Sequence, residues 1–204
     1  SVWDMTRVWA GILVASPTTE LRAMHMTSVT NVGRAGPHAL RYVGVGIDPE
    51  TFRRQMDAGE GPVGGFYSLV VQQVLERIGY TVVAVNERNE PVLFDVAVEC
   101  PPLEMVIEPG TSAGIRIVSD VATAEGVTAT MSVELRLLLE GEREHTSWRV
   151  EGRPPCTLTI DRRDSVHHSA AALFNRIPDV VAAEPGIRLV SELGVMTPTG
   201  LMGG

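Results

Sequence analysis

His25 and His38 are the side chains best placed for acid–base chemistry. His25 falls in an alternating stretch that reads as a strand and His38 at the start of a short helix, and strand ends feeding loops commonly line clefts. A structural role suits both as well. His167-His168 invites a metal, yet neighbours on a helix point about 100° apart and need partners at i+4 to share an ion, so the pair reads as surface histidines and no metal is expected. Cys156 follows two prolines with no base indicated, and no serine sits in a Gly-x-Ser-x-Gly elbow, so nucleophilic catalysis has no visible carrier. Cys100 and Cys156 alone make neither a disulfide framework nor a zinc site. The acidic run 140–144 around Gly141 reads as a solvated hairpin turn.

Every one of the 17 basic residues is arginine. Without lysine the chain supplies no Schiff base and no P-loop ammonium. Two glycine clusters, Gly44-Val45-Gly46 and 61–65, are candidates for a phosphate cradle. Neither has the preceding strand, the third glycine and the later acid of a dinucleotide fingerprint. Both read as turns, so a nicotinamide cofactor's pyrophosphate would be held elsewhere.

Periodicity supplies the elements that must position these groups. Met5, Val8, Trp9, Ile12 and Leu13 recur at helical spacing, predicting an amphipathic helix over 2–14. It opens abruptly, as though following a preceding domain. Residues 20–30 alternate as a strand, Pro37 opens a short helix to 42, and Pro49 opens another to 56. A longer helix is expected over 66–78 with Gly79 as its stop. Period two then dominates, with strands expected at 81–85, 92–98, 103–107, 115–121, 127–139, 147–150 and 156–160. The stretch 127–139 exceeds the ~6 residues of an ordinary strand and is expected to bend, bulge or be shared with a neighbouring subunit. Asp164 caps a last helix over 165–176, which Ile177-Pro178 should end. Helices, a run of strands and a helix again predict an α+β fold, an open mixed or antiparallel sheet with helices on one face. Residues 1–195 read as one domain and 196–204 as a frayed tail.

Composition bounds the function. The 204 residues are 44% apolar and 21% charged, ample for a packed core. A net charge of −8 argues against nucleic acid. No apolar run approaches the ~20 residues of a membrane span, and no signal-like order opens the chain, so membrane partners are not expected and a reducing cytoplasm fits.

Four stretches in order carry a resemblance: Val43-Gly44-Val45-Gly46 with Asp48-Pro49; Ile107-Glu108-Pro109-Gly110-Thr111-Ser112-Ala113-Gly114; Trp148-Arg149-Val150-Glu151-Gly152-Arg153-Pro154; and Asn175-Arg176-Ile177-Pro178 leading to Glu184-Pro185-Gly186-Ile187. Together they resemble the carboxy-terminal domain of the 2,4-diaminopentanoate dehydrogenase and amine dehydrogenase group, relatives of dihydrodipicolinate reductase. The resemblance implies an NAD- or NADP-dependent oxidoreductase acting on a carbon–nitrogen bond, whose Rossmann domain precedes this segment or is a separate subunit. The present chain would contain no Rossmann domain and would form the substrate cleft and the homodimer or homotetramer contact. Alone it would be inactive. Where dihydrodipicolinate reductases carry His-His-x-His-Lys, this chain reads Met26-Thr27-Ser28-Val29-Thr30-Asn31, so that activity is not implied.

On this reading Asn31, His38 and Trp148 line the substrate pocket, and Phe174 with Asn175 faces the cofactor; Trp148 and Phe174 suit core positions equally. The catalytic residues are not assigned. The alternative is a stand-alone, non-catalytic protein that binds a small ligand or assembles with a partner. A third reading is an unrelated α+β enzyme, which would need a carboxylate and a histidine within reach of each other in a closed pocket.

Overall fold

Alternation along the strands decides which side of the sheet is covered. In a computed structural model describing residues 4–61 and 66–198, a π-helical stretch Asp4–Trp9 runs into α1 (Ala10–Ala15), followed by β1 (Ala23–Asn31), α2 (Pro37–Tyr42), α3 (Pro49–Asp57) and α4 (Leu69–Arg77). The strands β2 (Val82–Leu93), β3 (Val98–Cys100), β4 (Met105–Ile107), β5 (Ser112–Thr123), β6 (Thr128–Arg136), β7 (Glu144–Glu151) and β8 (Cys156–Arg162) precede α5 (Ser165–Ala182). Six of them form one sheet in the order β2-β5-β6-β1-β7-β8, and β3 with β4 makes a separate hairpin. β1 runs parallel to β6 and antiparallel to β7, so the sheet is mixed, as expected.

On one face the apolar positions line up across the strands: Met131 beside Met26, Met26 beside Trp148, Trp148 beside Leu158. The π-helical stretch, α1 and α4 cover this part with Val8, Val14, Val70 and Val74. Further along the same face, Leu40 of α2, Val43 just after it and Phe52 of α3 pack on Ala113, Ile115 and Ile117 of β5. Burying one such large side chain contributes about 1.5–3 kcal/mol, so these two clusters supply most of the driving force. Gly11 lets α1 settle on the sheet, because a Cβ there would stand 2.7 Å from the Trp148 ring. Gly114 has φ +149°, and a Cβ on it would meet the Leu135 carbonyl oxygen at 2.2 Å, so the β5–β6 approach requires glycine.

The other face carries His25, Thr27, Thr128, Thr130 and Arg149, exposed or half-buried. An ionic ladder crosses it from Arg88 and Glu90 through Arg116, Glu134 and Arg136 to Glu142, with contacts of 2.6–3.7 Å.

Four boundaries differ from expectation. The strands expected at 81–85 and 92–98 are mainly one strand, β2, which carries Pro91 because it is the sheet's edge, where an amide donor can be spared. The long stretch 127–139 is a nine-residue strand in unbroken register with both neighbours; the irregular pairing lies instead in β2, near Val83 and at Val92/Leu93. The helix expected from 66 starts at Leu69. α5 does not stop at Pro178 but continues to Ala182. Arg176 anchors that distal half, donating to Asp179 at 2.6 Å and to the Gly194 carbonyl at 2.8 Å, which offsets the hydrogen bond that proline removes. The glycines at 62–65 and the tail from 199 lie outside the described residues.

Candidate functional site

The helix-facing side of the sheet changes character at one end. Following the period-two series, β1 passes from Met24 and Met26 to Ser28 and Thr30, β7 from Val150 and Trp148 to Thr146 and Glu144, and β8 from Leu158 and Ile160 to Arg162. A cleft of about 800 Å³ opens over this polar end. The start of α5 forms one side of it, with Asp164, Ser165, Val166 and Ser169, and Arg34 belongs to the β1–α2 loop beside it.

Its floor is a chain of hydrogen bonds. Arg7 donates to the Ser28 hydroxyl at 3.2 Å, Ser28 and Thr146 share a hydrogen bond of 3.1 Å, and Arg162 donates to Thr146 in turn. Two hydroxyls thus separate two guanidiniums, each about 1% exposed. Burial lowers the Arg7 pKa to about 10, and the neighbouring charge of Arg162 adds to that shift. Burial likewise lowers Arg162, against the opposing pull of Glu144. Arg162 also donates to the Val29 carbonyl at 3.0 Å, to Thr30 at 3.3 Å and to Ser165 at 3.2 Å.

Glu144, 8% exposed, ties three elements together. One oxygen accepts the Asn31 amide at 2.8 Å, and the other accepts the amide and hydroxyl of Ser165 at 3.2 and 2.9 Å. The end of β1, the start of β7 and the first turn of α5 are thereby fixed relative to one another. Asp164 accepts the His167 amide as the helix cap and binds the His167 ring.

Of the residues singled out from sequence, Asn31 lies in the cleft, half-buried, its Oδ1 accepting the Gly33 amide at 2.8 Å. His38 does not: it is exposed in the first turn of α2, away from the cleft. Trp148 is a core residue rather than a cleft wall, 1% exposed with its indole N–H donating to the Arg7 carbonyl at 2.9 Å; the period-two register turns it under α1. Phe174 and Asn175 lie on α5 beyond the part that lines the cleft, Phe174 63% exposed and Asn175 half-buried. His25 sits on the opposite face beside Glu151, at 3.2 Å. The residues missed were Arg7, Glu144 and Arg162. Their signal was present, since Glu144 and Arg162 each continue a core-facing series of alternate positions with a charge.

The lining carboxylate Asp164 does bond a histidine, but the His167 ring is 85% exposed and does not line the cleft, so among the described residues the pair does not make the closed carboxylate–histidine pocket that an unrelated α+β enzyme would need. The Gly44–Gly46 turn offers no free amides to a phosphate, because the Gly44, Val45 and Gly46 N–H groups donate to the Arg41, Leu40 and Ser112 carbonyls at 2.7–3.0 Å. Among the described residues no helix is long and apolar enough to cross a membrane.

The geometry has a counterpart among solved structures. Amine dehydrogenase from Mycobacterium smegmatis superposes with a TM-score of 0.86 at 24% identity, over 96% of this chain and 58% of its own. The present chain therefore spans little more than half the length of that protein. UDP-N-acetylglucosamine 3-dehydrogenase GnnA from Acidithiobacillus ferrooxidans gives a TM-score of 0.39 at 9% identity, over 94% of this chain and 56% of its own. No curated protein sequence matches. The sequence profile of the 2,4-diaminopentanoate dehydrogenase C-terminal domain matches residues 11–204, nearly the whole chain, and the chain belongs to that family.

Proposed function

We propose that this chain is the substrate-cleft and oligomerisation domain of an oxidoreductase that acts on a carbon–nitrogen bond with NAD or NADP, working with a separate Rossmann-type domain or subunit. The observation that carries the reading is α5. It opens on the cleft and then exposes Leu173, Phe174, Ile177, Val180 and Val181 at 51–80%. An apolar helix stripe that its own domain leaves uncovered, beside a polar cleft, suits a second domain closing over both. The amides of the Gly44–Gly46 turn are taken by carbonyls of this chain, which supports assigning the dinucleotide to that second domain.

The chain's own part is to bind and orient a small-molecule substrate and to exclude water from it. Asn31 and Glu144 present their polar groups at the cleft wall, while Phe174 and Asn175 would meet the cofactor side. The sheet's open face, polar and without a helix over it among the described residues, is assigned to a homodimer or homotetramer contact.

The test is amine-dependent reduction of NAD+ or NADP+ by the polypeptide expressed with the coding sequence upstream of Ser1, or together with a candidate Rossmann subunit. Asn31→Ala should lower kcat about tenfold or more with the circular dichroism spectrum unchanged, and His38→Ala should leave it unaltered. An intact polypeptide that binds amines and reduces neither cofactor would favour the non-catalytic binding protein. Light scattering that gives only a 22.0 kDa species at high concentration would sink the oligomer.

A further inference from the structure

A second, smaller hollow of about 210 Å³ opens beside the cleft, between the β1–α2 loop, the β3–β4 hairpin and the chain that leaves β6. Asn31, Arg34 and Leu138 line both spaces, so the hollow is a side chamber of the cleft.

Its chemistry differs from that of the cleft floor. Val98, Pro101, Pro102, Leu137 and Leu138 make most of its wall. Leu137 and Cys100 are buried, Val98, Pro102 and Leu138 half-buried, and the two charged lining residues, Arg34 and Glu99, are exposed at the rim. The backbone adds few donors. Pro101 and Pro102 have no N–H, the Gly33 amide is given to the Asn31 Oδ1 at 2.8 Å, and the Leu137 amide to the Ala113 carbonyl at 3.0 Å. A polar group entering the chamber would lose water without replacement, whereas an alkyl group gains by leaving it.

We infer that the side chamber receives the alkyl part of an amine substrate whose polar end stays in the cleft, and that the β3–β4 hairpin sets the chain length accepted. The inference rests on the reading of the cleft as the substrate site of an amine oxidoreductase. At the ~30 Å³ that a water molecule occupies in the liquid, the chamber holds about six or seven non-hydrogen atoms. The accepted chain is therefore about six carbons long. Three of the hairpin's lining residues, Val98, Glu99 and Cys100, lie on β3, and Pro101 and Pro102 follow in the turn. The hairpin is a sheet of its own, separate from the six-stranded one, so its sequence can change the chamber without disturbing the strands that carry the cleft floor.

The test uses the polypeptide that includes the coding sequence upstream of Ser1, or its complex with a Rossmann subunit. The probes are the straight-chain primary amines from propylamine to octylamine, titrated calorimetrically and, in parallel, assayed for reduction of NAD+ or NADP+. Affinity should rise about two- to threefold per added methylene and level off near six carbons. Pro101→Trp places a large ring on the chamber wall at an exposed position, and should weaken hexylamine at least about fivefold more than propylamine. Glu99→Trp, exposed on the neighbouring strand position, should flatten the series in the same way and guards against a misfolded first variant. A wild-type series without dependence on chain length, or a dependence that both tryptophan variants leave intact, overturns the inference. Turnover of amines with kcat/KM independent of chain length would refute the chamber and leave the dehydrogenase reading standing. A rising series that the variants flatten, in a polypeptide that reduces neither cofactor, would uphold the chamber and refute that reading alone.

Discussion

The middle and the cleft end of one sheet face use the same strands and the same alternate positions, yet they do opposite things. In the middle, Met24, Met26, Met131, Trp148 and Val150 are buried against α1 and α4. One or two alternate positions further along the same strands, Ser28, Thr146, Glu144 and Arg162 are buried with their charges and hydroxyls engaged. Geometry is constant across the two regions and only side-chain chemistry changes. The first region therefore fixes the fold, and the second uses the resulting rigidity to hold charged groups in place.

The sharpest break of that comparison is at Trp148. Trp148→Ala leaves a cavity under α1 and strips the Arg7 carbonyl of its donor, so a loss of about 3–5 kcal/mol is expected in urea unfolding. A loss under about 1 kcal/mol would show that the middle of the face is not the stabilising region. Gly114→Ala comes next, at about 2 kcal/mol or more, because its φ of +149° and the Leu135 carbonyl both exclude a side chain. Thermal unfolding of that variant against Gly59→Ala, which has a positive φ but open space around it, separates the clash from the backbone strain.

The middle of the face was readable from sequence because burial imposes a period on the chain. α2 and α3 fall within a residue of expectation and β1 within three, since alternation and the Pro37 and Pro49 starts are local signals. The cleft was less readable for a physical reason. Arg7, Thr30, Glu144 and Arg162 are far apart in the chain, and only strand register brings them to one end of the sheet. Trp148 was misplaced by the same cause: its residue type suits a pocket wall as well as a core, and register decides between them. Pro178 misled in another way, since the local rule that proline ends a helix was overridden by the Arg176 contacts to Leu193 and Gly194.

A smaller effect is expected on the opposite face, where charge is solvated. Burial favours the neutral form of Glu134, but hydrogen bonds from Arg136 and Arg116 outweigh it and lower its pKa. Arg136 also lowers Glu142. A carboxylate depressed in the folded state stabilises above its ordinary value of 4.5, and that contribution is lost as the pH falls through the depressed value. Urea midpoints should therefore fall between pH 7 and pH 3 by more in wild type than in Arg136→Met, and equal slopes would remove the ladder from the stability account. These groups are partly exposed, so the difference should be on the order of 1 kcal/mol or less.

The smallest expected effect on this chain is also the one that tests the comparison against function. Phe174→Ser and Val181→Ser alter side chains 63% and 80% exposed on α5, and the stability of the isolated chain should move by about 0.5 kcal/mol or less. In a polypeptide or complex that supplies the proposed Rossmann domain, the same pair should lower turnover, because the stripe would then be buried and serine would leave it poorly packed. A stability loss as large as that of Trp148→Ala would mean that α5 is part of this domain's own core. Unchanged stability together with unchanged turnover would mean that the stripe faces solvent in the working protein, and the second domain would have to meet the cleft from the side of Arg34 and Arg143.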